Sequence, residues 1–169
     1  MPGSLRCDAQ APSRMSETGR TLARMTSLWN RADPVHAKAQ RMLEQDLIAW
    51  LVTTARDGSP RSVPVWFYWQ DDRMVIVSEP DTLKVAAIRR GAPVLMHLQA
   101  GGPFGDDVVI LYGQAEISER SAADWLEENR ESYVAKYGEG IEDYGMPLED
   151  IAQKFSTLIV FTPERVQAW

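Results

Sequence analysis

The chain has 169 residues, 44% hydrophobic and 25% charged, a length suited to one domain and a balance that excludes global disorder. A net charge of −6 offers nucleic acid no overall attraction, and a single cysteine, Cys7, excludes an internal disulfide or a cysteine-based metal site. No apolar run approaches the roughly 20 residues of a membrane-spanning helix and no secretory core follows Met1, so a cytoplasmic protein is expected, with neither nucleic acid nor membrane as partner.

Residues 1–31 are rich in Ser, Arg, Ala and Pro, lack apolar periodicity, and read as a flexible N-terminal extension. The domain proper spans 32–169. It opens on Asp33-Pro34, a capping carboxylate followed by the one residue that loses nothing at the first helical position. Val35, Ala39, Met42 and Leu43 then share a helical face that ends near Gln45. Strands are expected at 47–55, 62–70 and 73–78, joined through Asp57-Gly58 and Asp71-Asp72 as a three-stranded meander. Pro64 lacks an N–H for the sheet ladder, which places it at a bulge, at an edge or facing a ligand.

A short helix is expected at 81–90, with Leu83, Ala87 and Ile88 inward, stopped by Gly91 and Pro93. Strands follow at 94–99 and 108–118, around a glycine-rich loop, with Gly113 as a bulge or kink. Ser121 and Asp124 cap the longest helix, 122–137, whose face carries Trp125, Leu126 and Tyr133. A loop at 138–147, a helix at 148–155, a strand at 157–162 stopped by Pro163, and an extended tail ending in Trp169 complete the chain. Six strands with helices over the gaps imply a mainly β fold, a small closed barrel that hides its edges.

Two segments could carry chemistry. In Val77-Ser78-Glu79-Pro80-Asp81-Thr82-Leu83-Lys84, a strand turns into a helix beside two hydroxyls and an ammonium group, as a phosphate monoester requires. The plain alternative is a helix cap and a solvated lysine. In Val63-Pro64-Val65-Trp66-Phe67-Tyr68-Trp69, alternation gives aromatics to both faces, one for the core and one for a groove or subunit interface. No P-loop, dinucleotide fingerprint, nucleophile elbow or metal-spaced histidine pair is present, so no catalytic residue and no metal ligand is assigned, and the chemistry is expected to come from a cofactor. His97, in mid-strand, is read as a core or interface residue, with a cofactor contact as the alternative.

These segments, in their order, resemble the flavin-binding split-barrel oxidoreductases of the pyridoxamine 5′-phosphate oxidase superfamily, closest to the actinobacterial deazaflavin-dependent subgroup. The resemblance spans about 34–169 and rests on WLVTT at 50–54, DGSPRSVPVWF at 57–67, Ser78 to Lys84, Ile88-Arg89-Arg90 and the closing Ala168-Trp169. It implies a six-stranded split β-barrel of the FMN-binding type, homodimeric, with cofactor sites at the subunit interface. It also implies cofactor contacts from Arg61, Ser62, Val63, Pro64, Val65 and Trp66 on the second strand, Val77 and Ser78 at the end of the third, Thr82 and Lys84 on the next helix, and Trp169. The implied activity is hydride transfer between the deazaflavin coenzyme F-420, or FMN as close alternative, and a small unsaturated organic substrate. A non-catalytic flavin- or haem-binding protein is the competing reading. Leu83 stands where many relatives carry an arginine, and the pyridoxal-phosphate contacts of the true oxidase are not recognisable.

Overall fold

The computed structural model describes residues 28–30 and 32–169. The expected N-terminal extension therefore lies outside the described residues, apart from 28–30. Within that short piece Trp29 packs edge-on against His36 and Trp69, with ring centroids 5.8 and 6.0 Å apart.

In chain order the elements are α1 (Pro34–Gln45), β1 (Ile48–Thr54), β2 (Pro60–Trp66), β3 (Tyr68–Gln70), β4 (Arg73–Ser78), α2 (Leu83–Arg89), β5 (Val94–Leu98), β6 (Val109–Ile117), α3 (Ala122–Glu128), α4 (Arg130–Tyr144), α5 (Leu148–Lys154) and β7 (Thr157–Ala168). The Asp33 carboxylate accepts from the Val35 N–H at 2.9 Å, so α1 begins where the capping signal placed it. The strands form one antiparallel sheet ordered β2-β1-β5-β6-β7-β4-β3. Alternation points one face of the five central strands inward: Leu51, Met74, Ile76, Met96, Leu111, Ile159 and Phe161 are at most 1% exposed. A second apolar cluster, with Trp125, Leu126, Tyr133, Tyr137 and Leu158, lies under α3, α4 and α5.

The sheet order explains the curl. β2 and β3 occupy opposite edges, yet only Phe67 separates them in the chain. The sheet must bend until its edges meet at that residue. The Tyr137 hydroxyl fixes the join: it accepts from the Phe67 N–H at 2.9 Å and lies 2.6 and 2.8 Å from the Phe67 and Leu47 carbonyl oxygens.

Several expectations change. The segment read as one strand at 62–70 divides at Phe67, giving seven strands instead of six, and the supposed meander is two hairpins at opposite ends of the sheet. The long helix breaks at Asn129, whose side-chain amide donates to the Trp125 carbonyl at 2.8 Å and closes α3. α4 then runs through the expected loop to Tyr144. Gly140 lowers helix propensity there, but a Cβ at that position would stand 3.0 Å from the Trp66 ring, so packing explains the glycine. Pro163 does not end the last strand, because β7 passes through it to Ala168 opposite a register shift at Tyr112/Gly113. The bulge expected at Gly113 is present: a Cβ there would lie 2.1 Å from the Thr162 carbonyl oxygen. Ala87 and Ile88 face inward as expected, but Leu83, the first residue of α2, is 67% exposed, and Val85 is the third buried residue of the helix.

Candidate functional site

A cleft of ≈ 230 Å³ opens where the ends of β2 and β4 meet the helical layer. β2 contributes Pro64, Val65 and Trp66, β4 contributes Val77 and Ser78, and α2 contributes Lys84. The helical side adds Tyr133 and Tyr144 from α4, with Ile151 and Phe155 from α5 and its end. The wall is thus mainly apolar and aromatic, with hydroxyls and one ammonium group set into it. That composition suits a planar, anion-bearing small molecule.

Trp66 cannot turn freely in this wall. Its ring stacks on Tyr137 at 4.7 Å between centroids and 8° between planes, and Gly140 leaves room for its far edge. Ser78 is 1% exposed; its hydroxyl donates to the Glu79 carbonyl at 3.1 Å and lies 3.5 Å from the Thr82 hydroxyl. The Thr82 hydroxyl also donates to the Glu79 carbonyl, at 3.3 Å, and makes no cap bond although Thr82 is the N-cap of α2. Burial depresses the pKa of the half-buried Lys84 ammonium, and the Glu79 carboxylate partly offsets that. α2 has only seven residues, so the positive charge of this corner comes from Lys84 far more than from a helix dipole.

Of the residues singled out in the sequence, Pro64, Val65, Trp66, Val77, Ser78 and Lys84 line this one cleft, and Thr82 touches it through Ser78. Arg61 lines a neighbouring groove of ≈ 400 Å³ with Arg56, Arg90 and Thr54. Arg90 is committed to structure as well: it donates to the Ala86 carbonyl at 2.9 Å and to the Thr54 carbonyl at 3.3 Å, tying α2 to β1. Ser62 and Val63 are exposed on edge strand β2 and line neither cavity. Trp169 is 49% exposed and likewise lines neither; its backbone pairs with Val108 at 3.1 and 3.3 Å, extending the β6–β7 ladder. His97 stacks on Trp50 at 6.3 Å and lines neither cavity.

Sequence reasoning missed the helical wall. Tyr133 falls on the apolar face expected for the longest helix, Tyr144 in the expected loop at 138–147, and Ile151 and Phe155 in the short helix expected at 148–155, none of which signals a cavity. The i, i+4 aromatic pair Tyr133 and Tyr137 was visible, but such spacing marks a buried helix face whether or not a cavity adjoins it.

A family model described as pyridoxamine 5′-phosphate oxidase matches residues 35–169. No curated protein matches the chain. Among solved structures, an F420 reductase superposes with a TM-score of 0.55 at 21% identity, covering 76% of this chain and 94% of that one. An FAD-binding protein from Mesorhizobium loti gives a TM-score of 0.56 at 17% identity, with 77% and 88% covered. The FAD-binding protein from Mycobacterium smegmatis gives 0.54 at 16%, with 79% and 92% covered. At such identities the likeness is one of fold.

Proposed function

The chain belongs to the pyridoxamine 5′-phosphate oxidase family, and from that premise we propose that it is an oxidoreductase using a flavin-type cofactor held by its phosphate. One observation carries the reading: Pro64, Val65 and Trp66 form an apolar wall in the same cleft as Ser78 and Lys84. A planar ring suits the wall, and a phosphate suits the hydroxyl and ammonium corner, where charge-assisted hydrogen bonds contribute about 1.5–3 kcal/mol each.

The cofactor would supply the hydride chemistry. The chain's own residues bind, orient and shield: Lys84, Ser78 and Thr82 anchor the phosphate, Trp66 braced by Tyr137 sets the ring plane, and Tyr144 and Phe155 close the far side. Coenzyme F-420 is favoured over FMN. α2 borders both cavities, so the Arg56, Arg61 and Arg90 groove could receive the additional negative tail of that deazaflavin. The likeness to an F420 reductase agrees with this order, and the FAD-binding likenesses keep FMN close. The substrate is proposed to be a small unsaturated organic molecule.

The protein is further proposed to act as a homodimer. β2 is an edge strand whose first five residues are all exposed, next to exposed Leu47 and Ile48. A cleft of ≈ 230 Å³ is also below the usual ~300–1,000 Å³ of a small-molecule pocket, so the occupant would project over that edge, where a second copy would cover it.

Absorbance titration of the purified protein with F-420 and with FMN tests the cofactor, and anaerobic stopped-flow reduction of an enone or quinone tests turnover. Binding of F-420 followed by substrate reduction is expected. Micromolar FMN binding without F-420 binding reverses the cofactor order. Binding without turnover favours a flavin carrier. Histidine-ligated haem is disfavoured, since neither His36 nor His97 lines the cleft.

A further inference from the structure

We infer that the Tyr133 hydroxyl is a cofactor contact, hydrogen-bonding a carbonyl-type acceptor on the planar ring that occupies the cleft. This contact presupposes the flavin-type occupant proposed above.

Tyr133 lines the cleft and is 2% exposed, and its hydroxyl is buried without a hydrogen-bond partner. Buried polar groups in folded proteins are nearly always bonded, so an orphan calls for a partner. The side chain cannot turn away to find one, because its ring is wedged among Tyr68, Trp125 and Tyr137, at 6.4, 5.9 and 4.9 Å between centroids. Tyr137, one helical turn further on, shows how this fold treats a phenol that serves the structure, for its hydroxyl is bonded to backbone at Phe67 and Leu47. Tyr133 has a similarly buried ring and no such partner. Two other buried polar atoms share that condition among the described residues, Trp29 Nε1 and Lys136 Nζ, and neither residue lines the cleft.

The donor role follows from electrostatics. Burial raises the phenol's pKa, so the proton stays on the oxygen throughout the neutral range and is available to an acceptor. On the apolar side of the cleft Pro64, Val65, Ile151 and Phe155 carry no hydrogen-bonding side chain, so besides Tyr133 the ring could meet there only the Trp66 indole N–H and the Tyr144 hydroxyl, and the latter already accepts from Lys154 at 3.0 Å. A carbonyl on an isoalloxazine-type ring is an acceptor of the right kind.

The test is Tyr133→Phe, read by FMN and F-420 titration, by the visible absorption band of the bound cofactor and by melting of the cofactor-free protein. The variant is expected to bind about 3- to 10-fold more weakly, as loss of one neutral hydrogen bond implies. The bound cofactor's band should shift from its wild-type position, because a ring acceptor has lost its donor. The cofactor-free variant should melt at or above the wild-type temperature, since its removed hydroxyl had no partner. Unchanged affinity and an unchanged band would overturn the contact while leaving the cofactor reading intact. A lower melting temperature without cofactor would also overturn it, by assigning the hydroxyl a structural bond. Failure of the wild type to bind either cofactor would overturn both readings together.

Discussion

Lys84 places the positive charge where the apolar wall ends, so it is the residue on which phosphate anchoring turns. Lys84→Ala is expected to weaken FMN or F-420 by about 1–3 kcal/mol, roughly 5- to 150-fold in Kd, and to leave thermal stability nearly unchanged. pH should report the same group. Burial lowers its pKa from the ordinary 10.5, so the ammonium is lost on the alkaline side earlier than in a solvated lysine. Affinity should therefore fall as pH rises through that depressed value, and for FMN also below about 6, where its phosphate monoester loses its second charge. In Lys84→Ala the alkaline fall should vanish; its persistence would assign the charge elsewhere. Ser78, Thr82 and Lys84 were legible in the sequence because strand, turn and helix start are consecutive, so local spacing brings them together. Tyr133, Tyr144 and Phe155 were not, because only tertiary packing carries α4 and α5 over β2 and β4.

At the level of elements, local signals succeeded where a side chain caps or a turn demands a particular backbone, as at Asp33, Ser121 and Gly113. The Ser121 hydroxyl accepts from the Asp124 N–H at 3.0 Å, and both residues of the Asp71-Asp72 turn take positive φ, 51° and 56°. They failed where packing overrode propensity: α4 continues through Gly138 and Gly140, and β7 continues through Pro163. The last case depends on its partner strand. Gly113 lies across from Pro163, and backbone fills the space a Cβ would need. Gly113→Ala should therefore cost several kcal/mol, on the order of the largest single-residue effects, and show as a marked fall in Tm. A variant that melts with the wild type would mean that β6 and β7 can slide apart there without penalty.

For the whole molecule, the expected meander proved to be two separate hairpins, whereas the mainly β architecture with covering helices followed from apolar alternation and turn chemistry. The curl did not, because it comes from one residue, Phe67, joining opposite edges of a seven-stranded sheet. The exposed β2 edge beside a small cleft leads to a further expectation. Light scattering in dilute solution should give twice the 19.0 kDa chain mass, and a monomeric mass would contradict the homodimer. Cofactor binding here requires one anion and one ring to share one cleft, and a crystal structure of the FMN or F-420 complex tests that most directly. The phosphate is predicted at Ser78, Thr82 and Lys84, with the ring against Pro64, Val65 and Trp66. A cofactor found elsewhere, with this cleft holding only solvent, would contradict it.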